Sequence, residues 1–171
     1  MDDAAHAELI ATADDPRPVP RLYIFERVVA AGLTRRRARV AVTIFSLELF
    51  DDGFRIRAQV DLARDHPDYR SPLEPETWDD PPGRTRHFRS GFPETGMRLT
   101  DDRGGAYRFM ESRADSDGAR IVLDFACGPR LDPSCRVLNV TVPQLLWQDP
   151  IDPLAGFLLD PGPWDFTIPL G

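Results

Sequence analysis

Residues 39 to 62, "RVAVTIFSLELFDDGFRIRAQVDL", decide the fold class. In the second half, Phe54, Ile56, Ala58, Val60 and Leu62 alternate with Arg55, Arg57, Gln59 and Asp61. That period of two makes a strand with one buried and one wet face. The first half changes phase: Val40, Val42 and Ile44 share one side, then Phe45, Leu47 and Leu49 share the other. Such a shift requires a β-bulge at Ile44-Phe45, or a strand that crosses between two packed sheets. "DDG" at 51–53 joins the halves as a tight hairpin, because Asp-Gly suits positions of positive φ.

The same alternation recurs outward from this pair. "RLYIFERVV" at 21–29 reads as a strand, and Met97 and Leu99, then Tyr107 and Phe109, alternate with polar neighbours on either side of "DDRGG" at 101–105. That segment reads as a hairpin loop, glycine supplying left-handed conformations and aspartate accepting backbone hydrogen bonds. Ile121, Leu123 and Phe125 mark another strand, as do Leu138, Val140 and Val142, and Trp164, Phe166, Ile168 and Leu170. About eight short strands separated by turn signals mean an all-β sandwich or barrel.

Two segments interrupt the rhythm. Residues 63–96 are rich in proline and charge yet hold Tyr69, Trp78, Phe88 and Phe92. A loop of that length in a compact domain tends to be functional, and its aromatics predict an ordered insertion packed on the sandwich. Residues 143–163 are apolar enough to cover a sheet edge or form a short helical turn. Of the 171 residues, 1–20 read as a loose leader and 21–171 as one domain.

The net charge of -7 argues against nucleic acid or an anionic membrane as the main partner, since both need a cationic face. The run Arg35-Arg36-Arg37-Ala38-Arg39 reads as a solvated strand end. All 21 basic residues are arginine, so Schiff-base chemistry and a phosphate-loop lysine are absent. Acidic residues stand where a signal peptide needs positive ones, and no window approaches the roughly 18 apolar residues of a membrane span. A cytoplasmic protein is expected, with Cys127 and Cys135 as reduced thiols.

With the strands placed, "VTIFSLELFDDGFRIRAQV", "MRLTDDRGGAYRF" and the closing "GPWDFTIPL" resemble small bacterial immunoglobulin-like sandwich domains. Such domains occur beside anti-sigma factors, in lipoproteins and as free-standing actinobacterial proteins. The resemblance spans roughly residues 36–171 and implies an immunoglobulin-like antiparallel β-sandwich with one long ordered insertion. It carries no catalytic residues and no cofactor.

Candidate chemistry is sparse. Asp51-Asp52, Asp79-Asp80 and Asp101-Asp102 could supply some oxygens to calcium, but aspartate is also the commonest way to start a turn. "RADSDGARIVLD" at 113–124 fails the EF-hand template at both ends. His66, Asp68 and His87 could form a metal or acid-base site, against the plainer reading of exposed loop histidines. No nucleophile elbow, zinc-protease motif or phosphate loop is present, so an enzyme is not expected. The expectation is a protein-interaction module that binds a protein partner or itself, with metal or small-ligand binding as the alternative. Tyr69, Trp78, Arg84, Arg86, Phe88 and Arg89 of the insertion are its candidate contacts, being of types enriched at dominant interface positions.

Overall fold

The computed structural model describes residues 20–67, 69, 87–89, 96–116, 119–148 and 157–171, with the backbone alone for 87–89, 110–116, 148 and 157–159. The described residues form nine strands and no helix: β1 (Phe25–Arg37), β2 (Val40–Phe50), β3 (Phe54–Leu62), β4 (His87–Arg89), β5 (Arg98–Asp101), β6 (Arg108–Ser116), β7 (Arg120–Gly128), β8 (Val137–Gln148) and β9 (Phe157–Pro169). They build two antiparallel sheets. One has the order β1-β2-β3-β7-β6. In the other, β9 runs along all of β8, while β4 and β5 lie end to end against the opposite edge of β8. The fold is a β-sandwich.

The alternating residues behave as their period requires. Phe54, Ile56, Ala58, Val60 and Leu62 are buried, and so are Leu138, Val140, Trp164, Phe166 and Ile168 of the facing sheet. Between the sheets remains a void of about 20 Å³ lined by apolar side chains including Val42, Ile56, Met97 and Val142. Room for one water with no polar partner is a dry packing gap, not a ligand chamber.

The phase change in β2 is a bulge. The β2–β3 register shifts between Ile44 and Ser46, and the β1–β2 register shifts opposite it, between Ala30 and Leu33, where Gly32 takes φ 59°. Phe45 is the extra residue against β3, and on its other side it faces two residues of β1, Ala31 and Gly32. It stands 43% exposed and does not join Leu47 and Leu49 in the core.

Other expectations are corrected. The described residues of 143–163 are neither edge cover nor helical turn: 143–148 finish β8 and 157–163 begin β9, while 149–156 lie outside the described residues. Pro143 interrupts that ladder only as a bulge facing Gly162, where an added Cβ would lie 2.3 Å from the Pro143 carbonyl oxygen. Gly53 lacks the positive φ expected of "DDG"; glycine is needed there because a Cβ would lie 2.4 Å from the Cys127 carbonyl oxygen. "DDRGG" does not join two paired strands. After one bridge between Thr100 and Ala106, the chain leaves β5 and enters β6 in the other sheet.

Strand direction sorts the connections to two ends of the sandwich. At one lie the approach to β1, the 51–53 turn, the 101–107 loop and the 128–136 loop. At the other lie the β1–β2 turn and the start of the 63–96 segment, joined by the Ala63 amide donating to the Arg39 carbonyl.

Candidate interaction surface

Two of the acidic pairs meet at the first end, and their carboxylates pin backbone. Asp101 is buried, and its Oδ1 accepts from the Arg103 and Gly105 amides at 2.8 and 2.7 Å while Tyr107 donates its hydroxyl to Oδ2. Burial alone would raise the Asp101 pKa; the hydrogen bonds from Tyr107, Gly105 and Arg103 outweigh it and hold the carboxyl below its usual range. Burial, with the Asp101 carboxylate, pushes the Tyr107 phenol up, so it stays a donor. Gly104 takes φ 80°, whereas Gly105 is needed for space, since a Cβ there would lie 2.6 Å from Asp101 Oδ2.

Asp102 ties this loop to β8, accepting at Oδ1 from the Arg136 amide at 3.0 Å, an interaction that lowers its pKa. Asp52 accepts from the Arg21 and Leu22 amides at 2.6 and 3.0 Å. Among the described residues no group of three or more histidine, cysteine or acidic side chains could hold a metal ion. The carboxylates of Asp52, Asp101 and Asp102 serve backbone amides of turns and loops, and Asp79-Asp80 lies outside the described residues.

The clamp at Asp52 has a consequence. It holds Leu22 at φ 55°, a left-handed conformation that costs a non-glycine residue of order 1–2 kcal/mol. The Asp51 amide donates to the Ile24 carbonyl at 3.1 Å, fixing the next turn of chain as well. Directly on this anchored backbone stand Tyr23, Ile24 and Phe25, exposed by 81%, 63% and 55%, with Val28 exposed beyond them. Phe25 meets buried Phe50 edge to face, ring centroids 5.8 Å apart. Three consecutive large apolar residues cannot all point inward from a strand, so "YIF" itself carried the signal. Within "RLYIFERVV" it passes for an ordinary strand start.

A cleft of about 520 Å³ opens at the same end between the 101–107 and 129–133 loops. Pro129, Leu131 and Pro133 form its apolar side, with Arg103 and Arg130 among its charged residues. Arg130 also bonds Glu26 of β1 at 2.7 Å, which joins the cleft to the Tyr23–Phe25 ridge.

Of the predicted contacts of the insertion, Tyr69, Phe88 and Arg89 are among the described residues. Trp78, Arg84 and Arg86 lie outside the described residues, as does Asp68. Phe88 and Arg89 belong to β4, whose backbone pairs with Trp147 and Leu146, so a strand runs inside the expected loop. Tyr69 is half-buried against the core. His66 is not an exposed loop histidine. It is buried, with Nε2 2.9 Å from Asp160 Oδ2, and Trp147 donates its indole hydrogen to the same oxygen. Both cysteines are free and buried, and burial raises both thiols, Cys135 to about 11, so neither is a poised thiolate.

No family model matches the chain, and no curated protein matches it. Its fold is similar to the crystal structure of the conserved domain protein from Bacillus anthracis, with a TM-score of 0.58 and 11% sequence identity. The similarity covers 85% of this chain and 49% of that one, so the chain spans about half the length of that structure. At this identity the likeness shows the fold alone.

Proposed function

We propose that the chain is a non-enzymatic protein-interaction module whose contact surface is the end of the sandwich bearing Tyr23, Ile24 and Phe25. The observation that supports this reading is the pairing of high exposure with a fixed backbone. An apolar side chain on a frayed terminus needs no explanation, but here three stand mostly exposed on a strained, twice-anchored segment, and only Phe25 packs on the core, through Phe50. Aromatic residues at such positions are the ones that dominate binding energy. The adjoining cleft and the Glu26–Arg130 bond extend the surface to a second pair of loops.

The test is affinity capture from the source organism with the intact protein and with Tyr23→Ser/Phe25→Ser. One partner at fixed stoichiometry, retained by the first and lost from an equally stable second, is the expected result. Equal retention by both would remove the ridge from the interface.

A further inference from the structure

We infer that the cleft between the 101–107 and 129–133 loops takes an extended segment of a partner protein carrying an Asp or Glu side chain beside an apolar one. This rests on the interaction reading and names the chemistry of what is bound. Arg103 is exposed, and its guanidinium makes no hydrogen bond or ion pair with any described residue. The two lining acids are already engaged. Asp101 lies buried with three donors on it, and Asp132 accepts from the amide and hydroxyl of Ser134 at 2.7 and 2.6 Å.

Arg103 and Asp132 line the cleft together, and the Arg103 guanidinium has no hydrogen-bond acceptor among the described residues. An Arg fork of this kind binds a carboxylate through two parallel hydrogen bonds. Pro129, Leu131 and Pro133 supply the apolar side. Gly104 lines the cleft without a side chain, and a Cβ placed there would meet nothing within 4 Å. A volume of about 520 Å³ falls in the range of ligand clefts, and its position between two loops suits a chain passing through.

The test uses the full chain, isotope-labelled, titrated with an acetylated, amidated pentapeptide of alternating leucine and glutamate, and separately with its glutamine counterpart. Amide shifts of Gly104, Gly105 and Leu131 should saturate with the glutamate peptide at a Kd of about 1 mM or tighter, and the glutamine peptide should bind about tenfold more weakly. Arg103→Gln should erase that difference and Arg103→Lys should keep part of it, the amide spectrum confirming in each case that the variant is folded. Equal binding of the two peptides, or no shifts at these amides, would overturn the inference. If that happened while ridge-dependent capture persisted, the interaction reading would stand and the cleft assignment alone would fall.

Discussion

Tyr107 donates its hydroxyl hydrogen to the buried carboxylate of Asp101, six residues earlier in the chain, and so closes the loop by which the backbone crosses from one sheet to the other. With the Arg103 and Gly105 amides on the other oxygen, the carboxylate organises the whole crossover. Tyr107→Phe leaves a buried acceptor short of its partner and should destabilise the protein by about 1–3 kcal/mol in denaturant titrations. The pH dependence has a definite sign. The folded-state pKa of Asp101 is depressed, so its contribution is present above the carboxylate range and lost as pH falls through the folded value. Removing the Tyr107 donor raises that value, so the acid limb of the stability curve should move to higher pH.

Asp52 should prove the support of the ridge. Asp52→Ala frees the Arg21 and Leu22 amides and removes what compensates the left-handed Leu22. A loss of about 1–2 kcal/mol is expected, comparable to losing a helix cap. Hydrogen exchange should accelerate most at Arg21 and Leu22. Uniform acceleration across β2 and β3 would show instead that the clamp belongs to the global core.

Ala38, at the β1–β2 turn, takes φ 46° without being glycine. Ala38→Gly should raise stability by about 0.5–1 kcal/mol, the relief of left-handed strain exceeding the added entropy of the unfolded chain. A lower thermal midpoint in the variant would contradict the strain at this turn.

Two buried tryptophans offer a matched comparison. Trp147 bonds Asp160, which also holds His66, whereas the Trp164 indole N–H has no partner. Both lie 2% exposed, so truncation to phenylalanine removes similar packing. Trp147→Phe should cost about 1–2 kcal/mol more than Trp164→Phe, because only the first deletes a hydrogen bond to a carboxylate. Equal losses would mean that the Asp160 bond contributes nothing.

Much of the sandwich was legible because its signal is local. Phe54 to Leu62 alternate without interruption, and the jump from Ile44 to Leu47 allowed a bulge or a sheet crossing before either was seen. What escaped was non-local. Nothing near "DDRGG" says that Tyr107 turns into the opposite sheet, since the partner of β6 lies beyond it in the chain. His66 read as a surface residue because its burial depends on Asp160, 94 positions away. The strand ends within 143–163 are hidden in the sequence because Pro143 and the Pro161-Gly162-Pro163 run look like strand breakers. The long hairpin absorbs the first as a bulge and accommodates the close approach through Gly162. The ridge leaves no periodic signal, since three apolar residues in a row do not alternate.

The most direct test of an interaction surface at Tyr23–Phe25 is photo-crosslinking in the source cell from a benzoylphenylalanine placed at position 23, with position 57 on the charged outer face of the first sheet as the control. One discrete adduct from position 23, absent from position 57 and lost when Phe25→Ser is added, is the predicted result. Equal or undefined adducts from both positions would contradict the central claim.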